Sequence, residues 1–133
     1  MTVDGTRTLT FTGRLRSVRF AARGIVTMLK SQHNAWLHTT STLAVALVGY
    51  ICHLDRTEWS LIVFAVVAVW VAEALNTAVE YLTDVASPGF HPIAGKAKDV
   101  AAGGVLIAAI GSAIVGIMVF GPHLLRWLSA SSP

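Results

Sequence analysis

Residues 100–120 read VAAGGVLIAAIGSAIVGIMVF, 21 positions without a charged side chain. The hydrocarbon core of a bilayer is about 30 Å thick, and about 20 helical residues cross it. This stretch therefore reads as a spanning helix, and it decides how its neighbours are read. Gly104, Ala108, Ser112 and Gly116 recur along it every four residues, a small-residue stripe that lets another helix approach closely. Upstream, residues 59–82 form a second span if Glu73 and Glu80 are tolerated inside it. Residues 35–52 form a first span that starts polar, with His38, Thr39, Thr40, Ser41 and Thr42, and ends in the apolar or small residues 43–52. By hydropathy it is the weakest of the three.

The composition agrees with a membrane protein. Of 133 residues, 54% are hydrophobic and 13% charged, and the mean hydropathy is +0.65. A chain this short has too little interior to hide that much apolar surface by folding alone, which excludes a monomeric soluble globule. Low charge with high hydropathy excludes disorder. The single cysteine, Cys52, permits no internal disulfide and no cysteine metal cluster, and reads as a small buried hydrophobe. The first 20 residues hold no continuous apolar run of the kind a cleavable leader needs, so an internal segment is expected to act as an uncleaved anchor.

Six of the ten basic residues fall in the first 30 positions: Arg7, Arg14, Arg16, Arg19, Arg23 and Lys30. Beyond a polar terminus over 1–10, expected to be disordered, Leu15, Val18, Ala22, Ile25 and Leu29 recur at helical spacing with arginines between them. This predicts an amphipathic helix over 11–31, lying in the interface plane before the first span. Its partner is a membrane surface rather than nucleic acid. The loop between the first two spans carries Asp55, Arg56 and Glu58, the next loop carries Lys96 and Lys98, and the tail carries Arg126. By the positive-inside rule the N-terminus and the second loop face the cytoplasm. Three spans fit this alternation. The expected organisation is thus an all-α membrane protein with a three-span domain over 32–120 and a short tail over 121–133. Three helices bury few faces, so a homo-oligomer is expected.

Residues 73–84, EALNTAVEYLTD, carry the chemistry. At 100° per residue Glu73, Asn76, Glu80 and Asp84 share an arc of about 80° and a stripe about 16 Å long. A carboxylate at membrane depth costs about 2.5 kcal/mol or more and survives facing a site, an ion or water. Pairing with basic groups for assembly is the alternative, but no Lys or Arg lies inside any span to meet Glu73. Asp84 and Glu80 sit near the cytoplasmic end, beside the loop of Lys96, Lys98 and Asp99. Carboxylates with substrate phosphates hold Mg²⁺, and lysines neutralise phosphate charge. Glu73, two turns deeper, could take a proton from a lipid hydroxyl. This geometry suggests phosphoryl transfer from a cytoplasmic nucleotide to a membrane alcohol.

The loop at 87–92, SPGFHP, ends the second span, and a short helix is expected to restart near Ile93 and run into the third. No standard nucleotide motif is present: five residues separate Gly89 from Gly95-Lys96 where a Walker A loop has four, and no Ser or Thr follows Lys96. The five histidines show no metal-ligand spacing. His91 is the one placed to contact phosphate, and the others read as interface or loop residues.

The run EALNTAVE at 73–80, then Asp84, FHP at 90–92 and AKDVAA at 97–102 resembles the bacterial membrane diacylglycerol kinase family, and more closely its undecaprenol kinase branch. The similarity is nearly continuous over 59–119 and extends more loosely back to FAARG at 20–24. It implies a homotrimer of three-span subunits with shared active sites, and an ATP- and Mg²⁺-dependent lipid kinase in the bacterial inner membrane. By that resemblance Glu73 is the general base and Asn76 its neighbour at the acceptor hydroxyl. Glu80 is the metal ligand. Asp84, Lys98 and Asp99 are nucleotide contacts, Gly89, Phe90 and His91 the loop against the phosphates, and Phe20 an aromatic flanking the nucleotide. Two positions depart from the pattern. Gln32, in SQHN at 31–34, stands where the family has a second metal-binding Glu, and offers a neutral carbonyl oxygen instead. Gly13 stands where the diacylglycerol branch has a phosphate-contacting Arg, for which Arg14 or Arg16 could substitute. Undecaprenol is the expected acceptor. Diacylglycerol is the alternative, and a catalytically degenerate accessory protein or a small channel subunit are the rivals from other classes. A channel would leave Lys96, Lys98 and Asp99 without a role.

Overall fold

The computed structural model describes residues 11–31 and 33–130, all but a few of them helical. Gln32, and the terminus expected to be disordered over 1–10, lie outside the described residues. Four helices follow in order: α1 (Phe11–Ser31), α2 (His33–Ile51), α3 (Arg56–Ala86) and α4 (Pro92–Ala130). Two of them, α3 and α4, are long and apolar enough to cross a membrane, whereas the apolar part of α2, Trp36–Ile51, is shorter. Most of the apolar surface of α4 is uncovered within the chain, including Ile107, Ile114, Ile117 and Met118. Water would not tolerate so wide an apolar face, and a bilayer or further helices would.

The polar start of α2 is accommodated by bonds within the helix. Thr40 Oγ1 donates to the Trp36 carbonyl at 3.0 Å and Thr42 Oγ1 to the His38 carbonyl at 2.7 Å. The helix ends in a Schellman turn. His53 adopts φ 53°, its N–H reaches the Tyr50 carbonyl, and the Leu54 N–H reaches the Gly49 carbonyl, both at 3.2 Å. Gly49 has a packing reason to be glycine: a Cβ there would lie 2.9 Å from the Trp59 indole and 3.1 Å from Leu54 Cδ1.

Asp55 then caps α3. Its Oδ1 accepts from the Glu58 N–H at 2.9 Å, and its own N–H donates back to Glu58 Oε2 at 2.9 Å, the reciprocal capping box that satisfies two otherwise orphaned donors. Around this corner Leu54, Ile62 and Val119 form the buried core, with Val45, Cys52, Trp59, Val66, Val115 and Phe120 packed on it. Cys52 is half-buried there. Helices α3 and α4 make the most extensive contact in the chain, and Ser112 Oγ donates across it to the Ala65 carbonyl at 2.9 Å. That bond places one member of the small-residue stripe in the α3–α4 seam.

Helix α4 begins at Pro92, where a missing N–H costs nothing, and runs unbroken through Pro122 to Ala130. The expected restart near Ile93 and the span are therefore one helix, and residues 121–130 continue it rather than forming a separate tail. At the N-terminal side, α1 lays Ala21, Gly24, Ile25 and Met28 beside Ala74, Thr77, Ala78 and Tyr81 of α3, around a cleft of about 400 Å³. Met28 is buried, while Leu15, Val18 and Ile25 of the predicted apolar stripe stay exposed.

Candidate functional site

Helix α3 carries the buried polar side chains of the described residues: Glu73 at 1% exposure, Asn76 at 7% and Thr77 at 4%. The helical spacing read from the sequence puts Glu73, Asn76, Glu80 and Asp84 on one side, and burial falls away along it. Glu73 and Asn76 are buried, Glu80 half-buried and Asp84 exposed. Asn76 Nδ2 donates to Glu80 Oε1 at 3.0 Å, tying the middle of the row together, and Thr77 Oγ1 donates to the Glu73 carbonyl at 2.9 Å. At the exposed end Lys98 of α4 donates to Asp84 Oδ1.

Three atoms in the row are buried without a hydrogen-bond partner: both carboxylate oxygens of Glu73 and Oδ1 of Asn76. An orphaned buried polar group costs about 1–3 kcal/mol, more when charged, and most buried polar atoms are satisfied. The approach to Glu73 comes from α2, where His38 Nε2 lies 3.6 Å from Oε2. That is an ion-pair separation, too long for a hydrogen bond.

The remaining sequence candidates surround the exposed end. Phe20 of α1 is exposed, with the Arg23 guanidinium 6.0 Å from its ring centroid. Phe90 is 97% exposed, and the Gly89 carbonyl accepts from Ser87 Oγ at 3.2 Å. Asp99 is exposed. His91, nominated for a phosphate, caps α4 in this structure: its Nδ1 accepts from the Ile93 N–H at 3.2 Å, and its carbonyl accepts from the Gly95 N–H at 3.1 Å.

No group of three His, Cys, Asp or Glu side chains able to cage a metal occurs among the described residues. A cation held jointly with a nucleotide needs less, because Mg²⁺ is commonly bound by one or two carboxylates plus substrate phosphates. Glu80 with the unpartnered Oδ1 of Asn76 fits that smaller demand.

A profile of the prokaryotic diacylglycerol kinases matches residues 19–120. The chain belongs to that family. The match takes in the whole row from Glu73 to Asp84, with Lys98 and Asp99. Among the relatives of this diacylglycerol kinase family chain, the undecaprenol kinase of Bacillus subtilis (strain 168) is 35% identical over 109 residues, 82% of this chain and 89% of that protein. The diacylglycerol kinase of Synechocystis sp. (strain PCC 6803) is 36% identical over 112 residues, covering 84% of this chain and 64% of the relative. That of Escherichia coli (strain K12) is 31% identical over 81 residues, or 61% and 66%.

His38, which the sequence places as a loop or interface histidine, is brought beside Glu73 by the structure. A signal for it was present, since an ionisable ring in an apolar helix is costly enough to ask for a partner. The spans hold no Lys or Arg for Glu73, but α2 holds this histidine.

Proposed function

We propose that this lipid kinase transfers the γ-phosphoryl group of ATP to the hydroxyl of undecaprenol, from the cytoplasmic face of a bacterial inner membrane. The observation that carries the reading is the burial gradient along α3. One face offers an exposed polar end, fit for a charged nucleotide, and a dry end with an unpartnered carboxylate, fit for a lipid alcohol. The similarity to the Bacillus undecaprenol kinase over 89% of that protein's length supports the polyprenol as acceptor.

Glu73 accepts the proton of the acceptor hydroxyl, whose oxygen bonds to the γ-phosphorus. The bond from that phosphorus to the β,γ-bridging oxygen breaks, and ADP leaves with the electron pair. Positioning and charge neutralisation do most of the work in such transfers. Asn76 stands beside Glu73 at the acceptor hydroxyl. Glu80, with the Asn76 carbonyl oxygen and Gln32 as a neutral donor, would hold Mg²⁺, which when bound neutralises charge on the phosphates. Lys98, now on Asp84, would contact the nucleotide phosphates together with Asp99, Gly89, Phe90 and His91, and Phe20 would flank the nucleobase. We assign α2 as the third span, α1 to the cytoplasmic surface and the working unit to a homotrimer with shared sites.

The test is phosphate transfer in detergent micelles with Mg²⁺ and ATP, undecaprenol and diacylglycerol being offered separately. Faster transfer to undecaprenol, lost in Glu73→Gln, is expected. Preference for diacylglycerol would move the chain to the other acceptor. No transfer to either lipid by folded protein would leave the accessory-protein reading.

A further inference from the structure

No hydrogen bond orients the carboxylate of Glu73. Both oxygens lack a hydrogen bond, and a terminal torsion of this kind has broad, two-fold preferences rather than one sharp well. A base that must meet a lipid hydroxyl in line with a phosphate loses much by such freedom, because a misplacement of about 1 Å can cost about 10²-fold in rate.

His38 is held where it could supply the missing bond. Its ring meets the Trp70 indole edge-on, with centroids 6.2 Å apart at 64°. Trp70 Nε1 donates to Thr42 Oγ1 at 3.1 Å, and Thr42 Oγ1 donates to the His38 carbonyl at 2.7 Å. Trp70 thus meets the His38 ring directly and its backbone through Thr42, and it lies on α3 about one turn before Glu73. The His38 side chain is 15% exposed, with Nε2 3.6 Å from Glu73 Oε2. His38 also borders a cleft of about 420 Å³ among α2, α3 and α4, lined mostly by apolar residues such as Val45, Val69, Ala109 and Phe120. His38 thus touches both the buried carboxylate and a mostly apolar cleft. Catalytic hydrogen bonds are often long in the free enzyme and tighten when substrate is bound.

We propose that His38 is a positioning residue: in the working complex its Nε2–H donates to Glu73 Oε2 and turns Oε1 toward the acceptor hydroxyl. The proposal rests on Glu73 being the base.

The full chain is assayed in micelles with Mg²⁺, ATP and undecaprenol, with helicity checked for every variant. His38→Phe keeps a ring against Trp70 and removes Nε2. His38→Gln removes the ring and keeps an N–H donor of comparable reach. His38→Phe is expected to lower kcat by about 10- to 100-fold, with both KM values changed by less than about threefold. His38→Gln recovers most of the loss. In the Glu73→Gln background His38→Phe adds nothing, as expected for groups acting as a unit. Wild-type kcat in folded His38→Phe overturns the proposal, as does a loss confined to KM, or a folded His38→Gln no better than His38→Phe. Should His38→Phe fail to fold, folded His38→Gln below about a tenth of wild-type kcat is itself decisive against it. Full turnover in Glu73→Gln would instead remove the base. Inactive Glu73→Gln with fully active His38→Phe removes only the role of His38.

Discussion

The two polar clusters of the bundle, one at the α2–α3 corner and one midway along α3, are built to opposite standards. At the corner the polar groups bond to one another. Asp55 and Glu58 cap each other, Glu58 Oε1 also meets His123 Nε2 at 2.9 Å, and the Schellman turn uses the last carbonyls of α2. Midway along α3, Glu73 and Asn76 are more deeply buried and leave three atoms unsatisfied. Satisfied polar networks rigidify. A buried carboxylate left without a donor is a cost that folding alone gives no reason to keep, and a reacting partner does. On the reading proposed above, the contrast separates the part of the chain that holds shape from the part that does chemistry.

That contrast can be broken from either side. The largest effect is expected from Glu73→Gln, which should lower turnover by about 10²–10⁴-fold. The amide replaces a buried carboxylate that lacks hydrogen bonds, so thermal unfolding should come no lower than in the wild type. Parallel assays of phosphate transfer and unfolding check this, and a large drop in melting temperature would mean that Glu73 is structural after all. Gly49→Ala should do the reverse, because the added methyl meets Trp59 at 2.9 Å. Overpacking of this kind costs about 1–3 kcal/mol, visible in denaturant unfolding, with turnover of the folded fraction retained.

Asp55→Ala removes the side-chain half of the capping box and should cost about 1 kcal/mol. Glu58 can still pair with His123, which sharpens the comparison: a loss much above about 2 kcal/mol would show that the cap holds the whole corner together. The smallest effect belongs to Ser112→Ala, which removes the bond to the Ala65 carbonyl. Helix-to-helix bonds of this kind in membrane proteins average about 0.6 kcal/mol. A change in activity there, with stability intact, would extend the functional region into the α3–α4 seam.

Much of this was legible in the residues. The charge-free run at 100–120 and the polar row of Glu73, Asn76, Glu80 and Asp84 are local patterns with a helical period, and α3 and α4 follow them. Partners far apart in sequence were not legible. His123 reaches Glu58 across 65 positions, and His38 reaches Glu73 from another helix; no periodicity records either. The continuation of α4 to Ala130 was hidden by Pro122, which usually ends or kinks a helix. Here the helix carries on, and Arg126 Nε donates back to the Pro122 carbonyl at 3.2 Å. His91 also has a local role: its ring Nδ1 accepts from the Ile93 N–H at the start of α4, a use that adjacency to Phe90 and Pro92 does not announce.

The most direct test of the central claim is transfer of the γ-phosphate of labelled ATP to undecaprenol in micelles, by wild type and by Glu73→Gln of equal helicity. The account predicts labelled undecaprenyl phosphate from the wild type and almost none from the variant. Equal labelling by both proteins would contradict it, because the unpartnered carboxylate at the dry end of α3 would then have no part in the chemistry.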